Sequence, residues 1–145
     1  MPDVDVDFVL RALQRLDANL VILRSLAVEE LEQFLQDPRL HGSAERYLQV
    51  SVEICLDVTR HIVTTENLGE ANTHAAAFEH LAQAGIIPQE FVATGQRMAG
   101  FRNRLVHLYW EVEEGVVYDI LQHRLGDFDS FRGYVLAHLM HLGLV

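Results

Sequence analysis

Ser43-Ala44-Glu45-Arg46-Tyr47-Leu48-Gln49-Val50-Ser51-Val52-Glu53-Ile54-Cys55-Leu56-Asp57-Val58-Thr59-Arg60-His61-Ile62 opens a run that continues to about Glu66. Tyr47, Val50, Ile54, Val58 and His61/Ile62 recur every three to four residues, the spacing of one face of a helix. Ser43 can cap the N-terminus after His41-Gly42, and Asn67-Leu68-Gly69 ends the run. A helix of that length in a chain of 145 residues crosses the whole molecule and forms its spine.

The flanking sequence continues in the same period. Residues 4–24 place Val6, Val9, Leu10, Leu13, Leu16, Leu20 and Leu23 on one stripe. A short amphipathic segment from Val28 to Leu35 stops before Asp37-Pro38, with Glu29, Glu30 and Glu32 near its start, where the helix dipole favours acids. After the long helix, a short one over Ala75–Ala84 closes at Gly85. Pro88 then fits the first turn of a helix running to Tyr109. Glu113-Glu114-Gly115 breaks the pattern; Val116–Leu125 and Phe128–Leu142 resume it, with Gly126-Asp127 turning between them. No segment alternates with period two. These observations predict an all-α, up-and-down helical bundle, with residues 1–145 as a single domain free of repeats and linkers.

Composition narrows the function. No apolar run approaches the ~18 residues of a membrane span, and the acidic start Met1-Pro2-Asp3-Val4-Asp5 lacks the basic region of a signal peptide. A cytoplasmic protein with no membrane partner is expected. Cys55, the single cysteine, excludes an intrachain disulfide and falls in an apolar pattern that points to an inert, buried thiol. All eleven basic residues are arginine, which excludes Schiff-base and phosphate-loop lysine chemistry. A formal net charge of −10 argues against broad, sequence-independent nucleic-acid binding, but not against a small phosphate site.

Such a site has one natural location. Arg97-Met98-Ala99-Gly100-Phe101-Arg102-Asn103-Arg104-Leu105-Val106-His107-Leu108-Tyr109-Trp110 holds three of the eleven arginines and the only tryptophan, with its nearest acids at Glu90 and Glu111. At ~100° per residue Asn103 and His107 share a face, Arg102, Val106 and Tyr109 form a second cluster, and His107 lies about 140° from Arg102. A helix ending near His107, or a twofold partner, would close part of that gap. Imidazole can take a proton from a ribose 2′-hydroxyl or give one to a leaving oxygen, guanidinium can brace a phosphate, and an amide can hold either by hydrogen bonds. Together they suffice for metal-independent RNA cleavage. An arginine and a histidine five apart, taken alone, are more commonly solvated surface groups. Phe101, Leu105 and Leu108 are expected to pack in a core or interface, and Trp110 to be a packing residue rather than a stacking platform.

Arg102-Asn103-Arg104-Leu105-Val106-His107-Leu108-Tyr109 fits Arg-x4-His-x-Tyr and resembles the motif of HepT-like toxins, a branch of the all-α HEPN superfamily. The resemblance extends to Met98–His107 as the signature helix and to the turn Ala84-Gly85-Ile86-Ile87-Pro88. It also takes in Glu45–Gln49 with Ile54, Asp57 and His61-Ile62, and Val117–Leu121, so that it covers about residues 43 to 132. It implies the toxin of a type VII-like toxin–antitoxin pair in a prokaryotic cytoplasm, a homodimer whose motif helices face each other across an RNA cleft, and Arg102 and His107 as catalytic residues. It further implies Tyr109 as the tyrosine on which a cognate minimal nucleotidyltransferase antitoxin places AMP. Asn103 fits the polar residue that follows the arginine in this superfamily, and Arg97 and Arg104 are expected to support phosphate binding. No metal or cofactor is expected. The alternative is a non-catalytic helical module that binds a partner or a nucleotide.

Rival constellations are weaker. Glu53, Asp57 and His61 are four apart on one face, but no second helix offers a matching ligand pair, so Glu53, Asp57 and Arg60 are expected to pair within the helix or face a partner. His138 and His141 are expected at the surface of a fraying C-terminal helix. No partner is identifiable for His74 or His80, and His41 and His123 carry no signal.

Overall fold

The structure, a computed structural model, describes residues 3–145; Met1 and Pro2 of the acidic start lie outside the described residues. Its elements are α1 (Val6–Ala27), α2 (Leu31–Gln36), α3 (Pro38–Thr65), α4 (His74–Gln83), α5 (Phe91–His107), a 3₁₀ turn (Tyr109–Glu111), α6 (Glu114–His123) and α7 (Gly126–His141). There is no strand among the described residues, and no helix is long and apolar enough to cross a membrane.

The spine is α3, which packs against each of the other six α-helices. Its apolar residues do so from several directions: Ala44, Leu48, Val52, Cys55, Leu56, Val58, Ile62 and Val63 are all buried. Phe34 from α2, Phe78 from α4 and Phe131 from α7 are fully enclosed around it; each such side chain contributes roughly 1.5–3 kcal/mol of burial free energy. Burial pushes the Cys55 thiol pKa up, and the thiol stays protonated and inert.

Several boundaries differ from those read in the sequence, and each has a local cause. The spine begins at Pro38, not at Ser43. The Asp37 side chain accepts from the Arg39 backbone N–H at 2.9 Å, Pro38 supplies the pre-set first turn, and His41-Gly42 continues the helix. The helix-stopping pair thus ends α2 and starts α3 within one residue. α1 extends to Ala27, and α2 starts only at Leu31, so Glu29 and Glu30 precede it rather than occupy its first turn. The break read at Glu113-Glu114-Gly115 falls a little earlier, between His107 and Glu113, and Glu114-Gly115 opens α6.

Two turns place α5. At the end of α3, Asn67 takes positive φ (58°) and the Leu68 N–H bonds the Val63 carbonyl at 3.0 Å. At the end of α4, Gly85 does the same (φ 77°), with the Ile86 N–H on the Leu81 carbonyl at 2.9 Å. Ile86 and Ile87 are then buried, anchoring the entry to α5. Pro88 lies before the helix, its carbonyl accepting from the Phe91 N–H at 3.0 Å. α5 meets α4 closely at Gly95, where the ring of the buried Phe78 occupies the space a side chain would need.

Candidate active site

The C-terminal half of α5 brings the motif to the edge of the bundle. Arg102 turns inward toward α3, and its Nε donates to Glu53 Oε1 at 3.0 Å; the two side chains are 27% and 34% exposed. Its Nη1 donates to Asn103 Oδ1 at 3.2 Å. The guanidinium is thereby fixed from two sides. Asn103 steadies the arginine, and among the described residues no bond joins it to His107. Glu53 is a partner across helices rather than within one, which corrects the intrahelical expectation: α5 lies against α3, and Arg102 is the cation nearest that carboxylate.

A second cationic layer adjoins this one. Arg60 Nη2 lies 3.4 Å from His74 Nδ1, at the first turn of α4. The His74 pKa is held below the ordinary imidazole value first by burial and then by Arg60 and Arg102, with Asp57 opposing. His74 therefore has the partner that sequence spacing did not identify, and it stands close enough to Arg102 to feel its charge.

The helix stops at His107, which is exposed, and with Arg104 it forms a basic last turn that the helix dipole favours. The Leu108 N–H closes on the Arg104 carbonyl at 2.9 Å, and the chain then turns through Tyr109–Glu111 so that Val112 packs back on the core. Tyr109 is consequently off the helix, which corrects its expected place in one helical cluster with Arg102 and Val106. It is 69% exposed and packs edge-on against Trp110, ring centroids 5.1 Å apart. Trp110, at 66% exposed, is not a packing residue of the core, and Leu108 is exposed as well; Leu105 is buried and Phe101 half-buried, as expected. Arg97 and Arg104 lie on another face of α5, facing α6 and α7 rather than Glu53.

The other histidines and acids separate from this site. His61 Nε2 accepts from the Asp5 backbone N–H at 2.9 Å and its ring packs on Phe8, so it serves the N-terminus of α1 rather than a metal. His138 is not a surface residue: it pairs with Glu66 at 2.7 Å, the two side chains 10% and 11% exposed, because the start of the α3–α4 connection packs beside α7. His80 Nε2 bonds the Glu70 carbonyl oxygen at 2.9 Å. His41, Glu45 and Glu114 have donor atoms within 4.8 Å of one another and could hold a cation. His41 carried no signal in the sequence; its neighbourhood forms only when α6 brings Glu114 beside His41 and Glu45. Burial, and secondarily Glu114, raises the Glu45 pKa, with His41 opposing.

With Arg102 braced, His107 free at a helix end and a tyrosine two residues beyond, residues 7–135 match the family described as ribonuclease HepT-like. The chain belongs to the HepT-like family. It is 36% identical over 105 residues to an mRNA nuclease HepT of Shewanella oneidensis, covering 72% of this chain and 79% of the relative. It is 25% identical over 112 residues to a tRNA nuclease HepT of Aphanizomenon flos-aquae, covering 77% and 76%. Among solved structures it resembles a tri-AMPylated HEPN toxin of Shewanella oneidensis in complex with an MNT antitoxin, with TM-score 0.83 and 29% identity over 90% of this chain and 98% of that one. The helical fold is thus the HEPN fold, and this HepT-like chain carries Arg102 and His107 of the Arg-x4-His-x-Tyr set on the last turns of α5 and Tyr109 in the 3₁₀ turn beyond it.

Proposed function

We propose that this protein is the toxin of a toxin–antitoxin pair, a metal-independent endoribonuclease whose catalytic residues are Arg102 and His107. The observation that carries the reading is the pairing of a guanidinium fixed by Glu53 and Asn103 with an unobstructed imidazole at the end of the same helix. In this mechanism the ribose 2′-oxygen attacks the adjacent phosphorus and the bond to the 5′-oxygen breaks. The products are a 2′,3′-cyclic phosphate and a 5′-hydroxyl. His107 takes the proton from the 2′-hydroxyl or delivers one to the departing 5′-oxygen. Arg102, through the N–H groups not engaged by Glu53 and Asn103, stabilises the charge that grows on the phosphate oxygens. The reaction needs no redox step and no added nucleophile.

The working unit is a homodimer of single-domain chains in the cytoplasm, the two α5 helices facing each other so that each histidine serves the other half of the proton bookkeeping. Silencing occurs by transfer of AMP to Tyr109 from a cognate minimal nucleotidyltransferase, the relative in complex with its MNT antitoxin being the supporting analogy. The exposed side chain of Tyr109 suits that transfer, and the added phosphate puts a new negative charge two residues beyond His107 in the chain.

The test is cleavage of total RNA in EDTA by protein purified without its partner, alongside His107→Ala and Arg102→Ala. Discrete cuts by wild type alone, ending in cyclic phosphate, are expected. Full cleavage by a folded His107→Ala protein would remove His107 from the mechanism, and no cleavage by any unmodified folded protein would leave a binding module instead. Intact mass after co-expression with the antitoxin should show AMP units that Tyr109→Phe lacks.

A further inference from the structure

Arg97 and Arg104 do not converge on Arg102. Together with Arg124 they surround a groove of about 430 Å³ between α3, α5 and the α6–α7 junction. Its floor is apolar, with Val52 from α3, Phe101 from α5 and Phe128 from α7. Among the described residues none of the three arginines makes an ion pair; Arg97 donates only to Thr94 Oγ1 at 3.1 Å, and Asp127, the one acid at the rim, bridges to none of them. In a chain of net charge −10 this is where unneutralised cations gather.

The two chemistries limit the occupant. Three arginines call for an anion, and guanidinium planes also stack on flat rings. An apolar floor calls for a flat or apolar body, and the volume lies in the range of small-ligand sites. A nucleotide supplies both parts, its base against the floor and its phosphates at the rim. The groove also continues the candidate active site: Arg104 and His107 are three residues apart, hence ~60° around the helix and roughly 4.5 Å along it. A strand leaving His107 across the exposed side of α5 reaches Arg104 first.

We infer that this groove is a substrate subsite, which seats a nucleotide of single-stranded RNA flanking the bond cleaved beside His107. The inference rests on the ribonuclease reading above. It makes Arg97, Arg104 and Arg124 binding residues separate from the reacting phosphate, so that they set affinity and the position of the cut rather than the chemistry.

The experiment measures binding of a short, fluorescently labelled single-stranded RNA to the full-length His107→Ala protein by anisotropy across a salt series. Arg124→Ala and, separately, Arg97→Ala are added to it. Each should weaken binding on the order of tenfold and lower the slope of log K against log salt by about 0.7–1, the signature of one lost phosphate contact. Wild-type cleavage is followed in parallel, and light scattering fixes the mass of every variant. Unchanged affinity and slope in both variants, while wild type cuts RNA, overturns the subsite and leaves the ribonuclease reading standing. A halved mass on loss of Arg124 or Arg97 assigns the groove to a second copy of the chain and likewise overturns it. If wild type neither binds nor cuts RNA, both readings fall together.

Discussion

Replacing Gly95 with alanine should loosen the molecule, although alanine is the better helix former. A Cβ at Gly95 would stand 2.5, 2.6 and 2.7 Å from three ring carbons of Phe78, against an ordinary carbon contact of about 3.5–4.0 Å. The ring cannot swing aside, because Phe78 is fully buried and packed into the α4–α5 contact. Overpacking of this kind costs roughly 1–3 kcal/mol, and the gain in helix propensity returns about 0.5–1 kcal/mol. The difference centres on a net loss of about 1 kcal/mol, which in a chain of this size lowers the melting temperature by roughly 3–5 °C. Gly133, exposed on α7 with no atom within 4 Å of its would-be Cβ, is the control. Gly133→Ala should gain about 0.5–1 kcal/mol from propensity alone. Urea denaturation of both variants, with the m-value checked for constancy, measures the difference. If Gly95→Ala is as stable as wild type or more so, α4 and α5 do not approach as described.

Three further predictions concern charge. Glu53→Gln should reduce RNA cleavage about tenfold while moving the melting temperature little, since a half-exposed pair contributes roughly 0–1 kcal/mol to stability; an unchanged rate would mean that Arg102 holds its position without the carboxylate. Glu45 has a raised pKa in the folded protein, so the fold binds its proton more tightly than the unfolded chain does. Stability contributed by the neutral form is present at low pH and is lost as pH rises from the ordinary carboxylate value of 4.5 through the higher folded pKa. Glu45→Gln should therefore melt higher than wild type at pH 7 and flatten the profile in that window; a lower melting temperature would show that attraction to His41 dominates. His138→Ala should cost about 1–3 kcal/mol by leaving Glu66 buried without its partner, measured by thermal unfolding, and a loss below ~0.5 kcal/mol would mean that water replaces the imidazole.

What the sequence made legible was periodicity. The spine, its termination at Asn67-Leu68-Gly69 and the turn at Gly85 all depend on spacing and on residues that tolerate positive φ, and both are local properties. The junction at Asp37-Pro38 was harder, because the same pair that stops one helix caps the next, and only the hydrogen bond to the Arg39 N–H distinguishes the two roles. Burial of His138 was not legible at all. It depends on Glu66, 72 residues away, arriving beside α7, which no local pattern reports. The motif residues were found by spacing, but the wheel that placed Tyr109 above Arg102 assumed a helix two residues longer than the one that forms. Glu53 was visible as an off-core acid on α3; its pairing with Arg102 needed the packing of α3 against α5.

The turn that follows α5 also bears on timing. A hydroxyl enclosed by the fold is open to an enzyme only during synthesis or in rare openings, so its modification would act as a checkpoint on assembly. Tyr109 stands outside that constraint, on an exposed single turn beyond the last helical hydrogen bond. The transferase of the proposed pair would need no opening event to reach it. Under the proposed silencing, chemistry at this tyrosine would act as a brake on completed molecules, at a rate set by encounter with the transferase rather than by the stability of its substrate.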